Sequence, residues 1–259
     1  MKIDMIERER HRLILLELES NTVATIAQLV GLIGCSEATI RRDVLELSNI
    51  GKLKRIRGGV EAIHPAKSHS LASSPFLINQ SIHTAEKQAI AKRAAAMCED
   101  GESIIIGGGS TAFYMAQYFE SKVLNVMTNS FVVAEYLHHN SECNVTLPSG
   151  KLYKEQNLVL SSYPEDGVSN FFASKVFFGA QGVSSLGALE TDSLIVQGTT
   201  RLLRQATSKI LLVDSSKFEQ FSNMIICPLT DIDYCISDQN LNPAHKQMLG
   251  DNAVTLVQA

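Results

Sequence analysis

The stretch SEATIRRDVLELSNI at residues 36–50, with KLKRIRGG close behind it, constrains this chain more than any other part. Ser36 suits a helix N-cap, because its hydroxyl accepts from a free first-turn N–H, and Glu37 suits the positive end of the helix. Ile40, Val44 and Leu47 recur at i, i+4 and i+7, giving the helix one apolar stripe. Ala38, Arg41 and Arg42 then point away from the stripe, with Thr39 on the flank of that outward face. Small side chains followed by two arginines, on a helix anchored from behind, fit a probe for the DNA major groove. The small residues permit close approach, and the guanidinium groups reach phosphates or guanine edges. A solvated basic face on an ordinary surface helix accounts for the same residues, so the neighbouring segments decide.

Those neighbours favour the probe. Residues 6–19 read as a helix with Ile6, Leu13 and Leu16 along one side and Arg8, Arg10 and Arg12 outside. Thr25 starts a second helix in which Ile26, Leu29, Val30 and Ile33 keep helical spacing. Gly34 closes it, Gly34-Cys35 forms the turn, and Ser36 opens the third helix: a helix-turn-helix. Gly51 stops that helix. Leu53, Ile56 and Val60 around a Gly58-Gly59 turn make a β-hairpin, a basic wing for the phosphate backbone. Candidate DNA contacts are therefore Ser36, Thr39, Arg41, Arg42, Lys54, Arg55 and Arg57. Net charge is −4 overall, but residues 1–60 carry ten Lys/Arg against eight Asp/Glu, and residues 52–60 hold four basic residues and no acid. A basic strip on an acidic body is the distribution expected of a DNA-reading module joined to a second domain.

The length, 259 residues, also implies two domains. The expected division is a winged helix-turn-helix over 1–62, a linker over 63–83 rich in Ser, Pro and His, and an α/β domain over 84–259. The second domain opens with a helix over 84–99. Strand–loop–helix units follow, with short apolar strands at 103–106, 123–127, 144–147, 175–178, 210–213, 234–236 and 254–257. Short buried-type strands alternating with helices imply a mostly parallel sheet, with ligands beyond the carboxyl ends of its strands. Those ends carry GGGST (107–111), TNS (128–130), PSG (148–150) and DSSK (214–217). Backbone N–H groups, hydroxyls and a helix start suit a phosphate, and Lys217 adds a cation. The candidate effector residues are Gly108, Gly109, Ser110, Thr111, Thr128, Asn129, Ser130, Gly150, Asp192, Asp214 and Lys217.

Several classes are disfavoured. No run of about 20 apolar residues spans a bilayer, and Arg8, Glu9 and Arg10 replace the apolar core of a signal peptide. A cytoplasmic protein without membrane contact is expected. The five cysteines are scattered, with no CxxC pair, which fits reduced thiols better than disulfides or zinc. Neither a metal nor a cofactor is expected. His138 and His139 are adjacent, and so should diverge on a helix surface.

The run ERERHRLILLELE, then TIAQLVGLIGCSEATIRRDVLELSNIGKLKRIRGGVEAI, resembles the DeoR family of bacterial transcription regulators, above all in S-x-x-T-I-R-R-D-V and its R-x-R-G-G wing. The C-terminal half resembles that family's sensor domain in IIIGGGSTAF, VMTNSFVVAEYL, VFFGAQGV, KILLVDSSKF and TDIDYCISD. The resemblance implies a Rossmann-like α/β sensor of the ribose-5-phosphate isomerase type and a phosphorylated sugar or sugar-derivative effector. It implies a repressor of a carbohydrate-utilisation operon. Gly31 within the second helix departs from the family, as do Gly107 for an aspartate, Ser149 for a glycine and the missing lysine near Thr199. GGGSTAF and GALETDSL resemble the ascorbate-utilisation repressor branch, implying a phosphorylated sugar acid. Expected partners are a double-stranded operator, that effector, and further copies in a homodimer or homotetramer. An enzyme is the rival reading, an isomerase or deaminase using Glu190, Asp192, Asp214 and Lys217. Against it stand the missing lysine and the acid replaced at Gly107. A winged module that binds protein instead of DNA is weaker still.

Overall fold

The computed structural model describes residues 7–20, 23–62, 76–161 and 166–259, and the chain divides into two compact units, 1–82 and 83–259. Residue 6, the expected helix break at 21 and 22, and positions 63–75 of the expected linker lie outside the described residues.

The first unit runs α1 (Glu7–Ser20), β1 (Val23–Thr25), α2 (Ile26–Ile33), α3 (Glu37–Asn49), β2 (Leu53–Ile56), β3 (Gly59–Ala62) and α4 (Phe76–Ser81). Thr25 caps α2 through a capping box with Gln28, and Gly34 ends it in the left-handed conformation at φ 71°. Ile26, Leu29, Ile33, Ile40, Val44 and Leu47 meet Leu13, Ile14 and Leu18 of α1 in one core. The wing is larger than a hairpin. β1 pairs antiparallel with β3, making a three-stranded sheet in the order β1-β3-β2. Gly59 permits this, because a Cβ there would stand 2.4 Å from the Ala24 carbonyl oxygen.

Three sequence expectations need correction here. Arg10 does not face outward; it turns into the unit to meet Asp43. The inward stripe of α1 is Leu13, Ile14 and Leu18, with Leu16 half-buried. The expected linker over 63–83 includes a helix, α4, whose Phe76 is buried, so the first unit extends to 82.

The second unit begins with α5 (Thr84–Ala95), β4 (Ser103–Ile106), α6 (Ser110–Ala116), β5 (Asn125–Thr128), α7 (Phe131–Asn140) and β6 (Asn144–Thr146). A hairpin follows, β7 (Lys151–Tyr153) and β8 (Leu158–Leu160), then β9 (Ala173–Phe178), β10 (Gly182–Ser184), β11 (Gly187–Glu190) and α8 (Ser193–Leu203). The chain ends with β12 (Ala206–Leu212), β13 (Met224–Cys227), β14 (Tyr234–Ser237), α9 (Pro243–Asp251) and β15 (Thr255–Gln258). Seven strands form a wholly parallel sheet in the order β15-β14-β12-β9-β4-β5-β6. Cores lie on both of its faces, one around Ile90, Ile104 and Phe119, the other around Val176, Phe178 and Leu211. Both faces are covered, as parallel sheets require.

The sequence reading missed the β7–β8 hairpin and the small antiparallel sheet β10-β11-β13. Val123, expected in a strand, is exposed and precedes β5. His138 and His139 are exposed, but their rings sit 5.0 Å apart instead of diverging. Both rings are exposed at the end of α7, where solvent lets adjacent side chains tilt together. Among the described residues no helix is long and apolar enough to cross a membrane.

Gly31 is exposed on α2, with open space where a Cβ would go. Gly31→Ala should therefore raise unfolding free energy by about 0.5–1 kcal/mol in urea titration. Gly59→Ala should lower it by about 1–3 kcal/mol, because the strand pair cannot yield to the new methyl without moving backbone.

Candidate functional site

In the first unit the candidate recognition surface is built on α3. Ser36 caps it, its Oγ accepting from the Thr39 N–H at 3.2 Å and lying 2.8 Å from the Thr39 hydroxyl. Asp43 falls on the same side as Ile40, Val44 and Leu47 and is buried. Arg10 donates to both of its oxygens, Nε at 2.7 Å and Nη2 at 2.9 Å, and this raises the arginine pKa further. A bidentate fork of this kind fixes geometry as well as charge. With Asp43 held inside, Arg41 and Arg42 are turned outward and exposed. Arg41 bonds Glu37 one turn away, an exposed pair that contributes little and releases readily. Arg42 has no ion pair or side-chain hydrogen bond among the described residues.

On the wing, Lys54 pairs with Glu61 at 3.3 Å, while Arg55 and Arg57 are exposed and unpaired among the described residues. All seven candidate DNA contacts thus lie on α3 with its cap or on β2 and its turn. Ser36 and Thr39 are already engaged with each other. Of the seven, Arg42, Arg55 and Arg57 are the cations without a partner among the described residues.

In the second unit the strand order reverses between β4 and β9, so their carboxyl ends open a crevice. Gly107 donates to the Phe177 carbonyl at 2.8 Å, and a Cβ on Gly179 would stand 3.9 Å from the Gly108 carbonyl oxygen. Ser110 and Thr111 begin α6, and their hydroxyls have no protein partner among the described residues. At seven residues α6 is too short for its dipole to matter much. The hydroxyls and the Gly109 turn, at φ 123°, are what this loop offers. Across the crevice Asp214 accepts from the Ser216 N–H at 3.1 Å and from its hydroxyl, and Asp238 accepts from the Ser215 N–H at 2.6 Å. These bonds fix the DSSK loop and hold Lys217 in place.

Sequence reasoning missed Lys87. It is buried on α5 and lies in the electrostatic field of Asp214 and Lys217. Burial depresses its pKa to about 8, the neighbouring Lys217 charge acting the same way and Asp214 opposing. Burial also lowers the Lys217 pKa, against Asp214 and Glu190. Glu190 is pushed up by its own burial. The signal for Lys87 was present: residues 87, 90, 91 and 94 form one helical stripe, and a lysine on an apolar stripe has a specific partner or task.

Other candidates occupy structural positions. The Thr128 hydroxyl accepts from the Ser130 N–H, and Ser130 caps α7. Asp192 caps α8 and accepts from the Tyr153 hydroxyl at 2.8 Å, which together with burial raises the tyrosine pKa to about 12. The β7–β8 hairpin lies across the strand ends: Val159 donates to the Asn129 carbonyl, and a Cβ on Gly108 would come 2.2 Å from Leu158. A Cβ on Gly150 would meet the Leu160 carbonyl oxygen at 2.5 Å. Gly150 is therefore required by the hairpin's backbone, whereas at Gly108 the close neighbour is the end of the Leu158 side chain. Asn129 is buried with its Oδ1 unpartnered. The cysteines are all free thiols, Cys98, Cys227 and Cys235 buried with pKa values raised to about 12.

Both halves match known families. Residues 10–66 match the DeoR-like helix-turn-helix domain and residues 82–239 the DeoR C-terminal sensor domain. The chain belongs to the DeoR family of transcriptional regulators. It is 31% identical over 255 residues to the HTH-type transcriptional regulator UlaR of Shigella dysenteriae, covering 98% of this chain and all of that protein. UlaR of Escherichia coli K12 matches at the same identity and coverage. Among solved structures, ribose 5-phosphate isomerase A of Methanocaldococcus jannaschii is similar at 18% identity over 51% of this chain and 53% of its own, with TM-score 0.38. The eIF2B beta subunit of Chaetomium thermophilum is similar at 14% identity over 95% and 72%, with TM-score 0.43. The DeoR signature RRD therefore has a physical division of labour in this chain: two arginines face out and the aspartate is held within.

Replacing Arg10 with alanine strands the Asp43 charge in the core. The expected cost is about 3–5 kcal/mol of stability in the first unit, read by denaturant titration. A loss below about 1 kcal/mol, typical of an exposed ion pair, would show that the fork does not anchor α3.

Proposed function

We propose that this DeoR-family regulator represses a carbohydrate-utilisation operon and responds to a phosphorylated sugar or sugar acid bound in the β4–β9 crevice. Arg42 carries the DNA half of the reading: an exposed, unpaired guanidinium on a helix whose rotation is fixed from behind. Arg55 and Arg57 supply phosphate contacts beside it. In the crevice, Lys87 and Lys217 pair with an anionic effector, the free Ser110 and Thr111 hydroxyls donate to its oxygens, and Asp214 orders the loop. The GGGSTAF and GALETDSL runs favour the sugar-acid class. Helix-turn-helix heads read half-sites about 34–36 Å apart, so the working form is a homodimer or homotetramer in the cytoplasm. The protein acts by binding and carries no enzymatic activity, in keeping with the regulators it resembles.

The DNA arm is tested on an operator selected from random duplexes. Arg42→Ala should cost about 1–3 kcal/mol and relax preference at one base position. Arg55→Ala should weaken all sequences alike and reduce the salt slope by about one unit. Unchanged affinity for Arg42→Ala would remove α3 from its role.

The effector arm is tested by a thermal-shift screen of phosphorylated sugars and sugar acids, since a ligand of the folded state raises its melting point. An anion needs the Lys87 ammonium, whose pKa is held at about 8. Effector affinity should fall as pH rises through that value, with proton uptake on binding seen by calorimetry in buffers of different ionisation enthalpy. Lys87→Arg should abolish the fall, because a guanidinium stays charged. Equal affinity on both sides of pH 8 in the natural protein would contradict this role.

A further inference from the structure

We propose that Glu7, His11 and Glu46 form a divalent-cation site bridging α1 and the recognition helix α3. Glu7 and His11 stand one turn apart on α1 and share a face; Glu46 approaches from α3. One donor atom from each lies within 4.8 Å of the other two.

A histidine separates this group from an ordinary acidic patch. The His11 Nε2 is covered from solvent and has no hydrogen-bond partner, yet it lies 3.4 Å from Asp43 Oδ1. A buried carboxylate behind an imidazole is the arrangement that orients metal-binding histidines. It draws one ring nitrogen and leaves the other for the cation. The two glutamates are exposed, and neither carboxylate has an ion pair or hydrogen bond among the described residues. Glu7 and His11 line a groove of about 520 Å³ that Arg8, Arg12 and Lys52 also line. Those three cations oppose loose, field-driven capture, so a metal held here must be directly ligated.

One imidazole nitrogen with two carboxylate oxygens suits Zn²⁺ or Mn²⁺, water completing the shell. Metal–ligand bonds of about 2.0–2.2 Å require donor atoms no more than about 4.4 Å apart, so the three must converge on the ion. Two exposed, unpaired glutamates make that movement without disturbing the core. The bound ion would then tie α1 to α3 on the groove side of the Arg10–Asp43 fork, stiffening the seat of the reading helix.

The test uses the full chain, stripped with EDTA and titrated with Zn²⁺ and with Co²⁺ as a spectroscopic probe. One equivalent per chain is expected, with cobalt d–d bands but no thiolate charge-transfer band. Glu7→Gln/Glu46→Gln should weaken binding about tenfold or more while melting like the natural protein in EDTA, and His11→Gln should weaken it as well. Zn²⁺ should raise the melting temperature of the natural protein but not of the double variant. Absence of stoichiometric uptake would overturn the proposal. So would equal affinity in the double variant, or a thiolate band, which would put the ion on cysteine.

Discussion

The reading head depends on one buried carboxylate. Asp43 sits on the inward face of α3, where Arg10 grips both of its oxygens and offsets the cost of burying its charge. A pair like this adds little net stability over an apolar replacement, since the desolvation of two charges offsets most of their attraction. What it does is penalise every other seating of the helix. Rotating α3 by a fraction of a turn would strand the aspartate, and the same rotation would swing Arg42 away from the outward face. The Ile40, Val44 and Leu47 stripe sets the side of α3 that packs; the fork sets its angle.

The sensor half relies on a different constraint, the order of strands in a parallel sheet. Chain direction away from β4 leads to β5 and β6, and away from β9 to β12, β14 and β15. The two βα loops at the split cannot cover each other, which leaves a crevice with glycines at its floor. Lys87 and Lys217, both with depressed pKa values, lie in the electrostatic field of Asp214. Keeping two ammonium groups close together and partly desolvated is costly. The β7–β8 hairpin, pressed on Gly108 through Leu158 and tied to α8 through Tyr153 and Asp192, narrows the same region.

The outline of both units was legible in the sequence because the signals are local and periodic. Helical stripes, the Thr25 and Ser36 caps, the Gly34 stop and the apolar runs ending in Gly or Ser each need only a few neighbouring residues. Two kinds of feature stayed hidden. Strands of three or four residues, such as β1, β7, β8 and β10, carry too short a pattern to register, and their pairing is non-local. Charged residues lying on an apolar stripe were the second kind. Asp43 and Lys87 both occupy inward positions, and Arg10 reaches inward from a segment that reads as solvated. Asp43 and Lys87 each enter a buried electrostatic contact, and each was visible only as a break in the stripe. The polar strand ends posed the opposite difficulty. Thr128, Ser130 and Asp192 have the chemistry of ligand contacts, and that same chemistry caps helices and closes turns.

The central claim is that a helix locked by Asp43 presents arginines that read a particular DNA sequence. Selection from a random duplex library with the intact chain tests it most directly. The proposed function predicts enrichment of two related half-sites separated by about one helical turn or a multiple of it, bound about 10³-fold or more tightly than random duplex at physiological salt. A selected pool that shows no shared sequence, or that binds no better than the starting library, would contradict it.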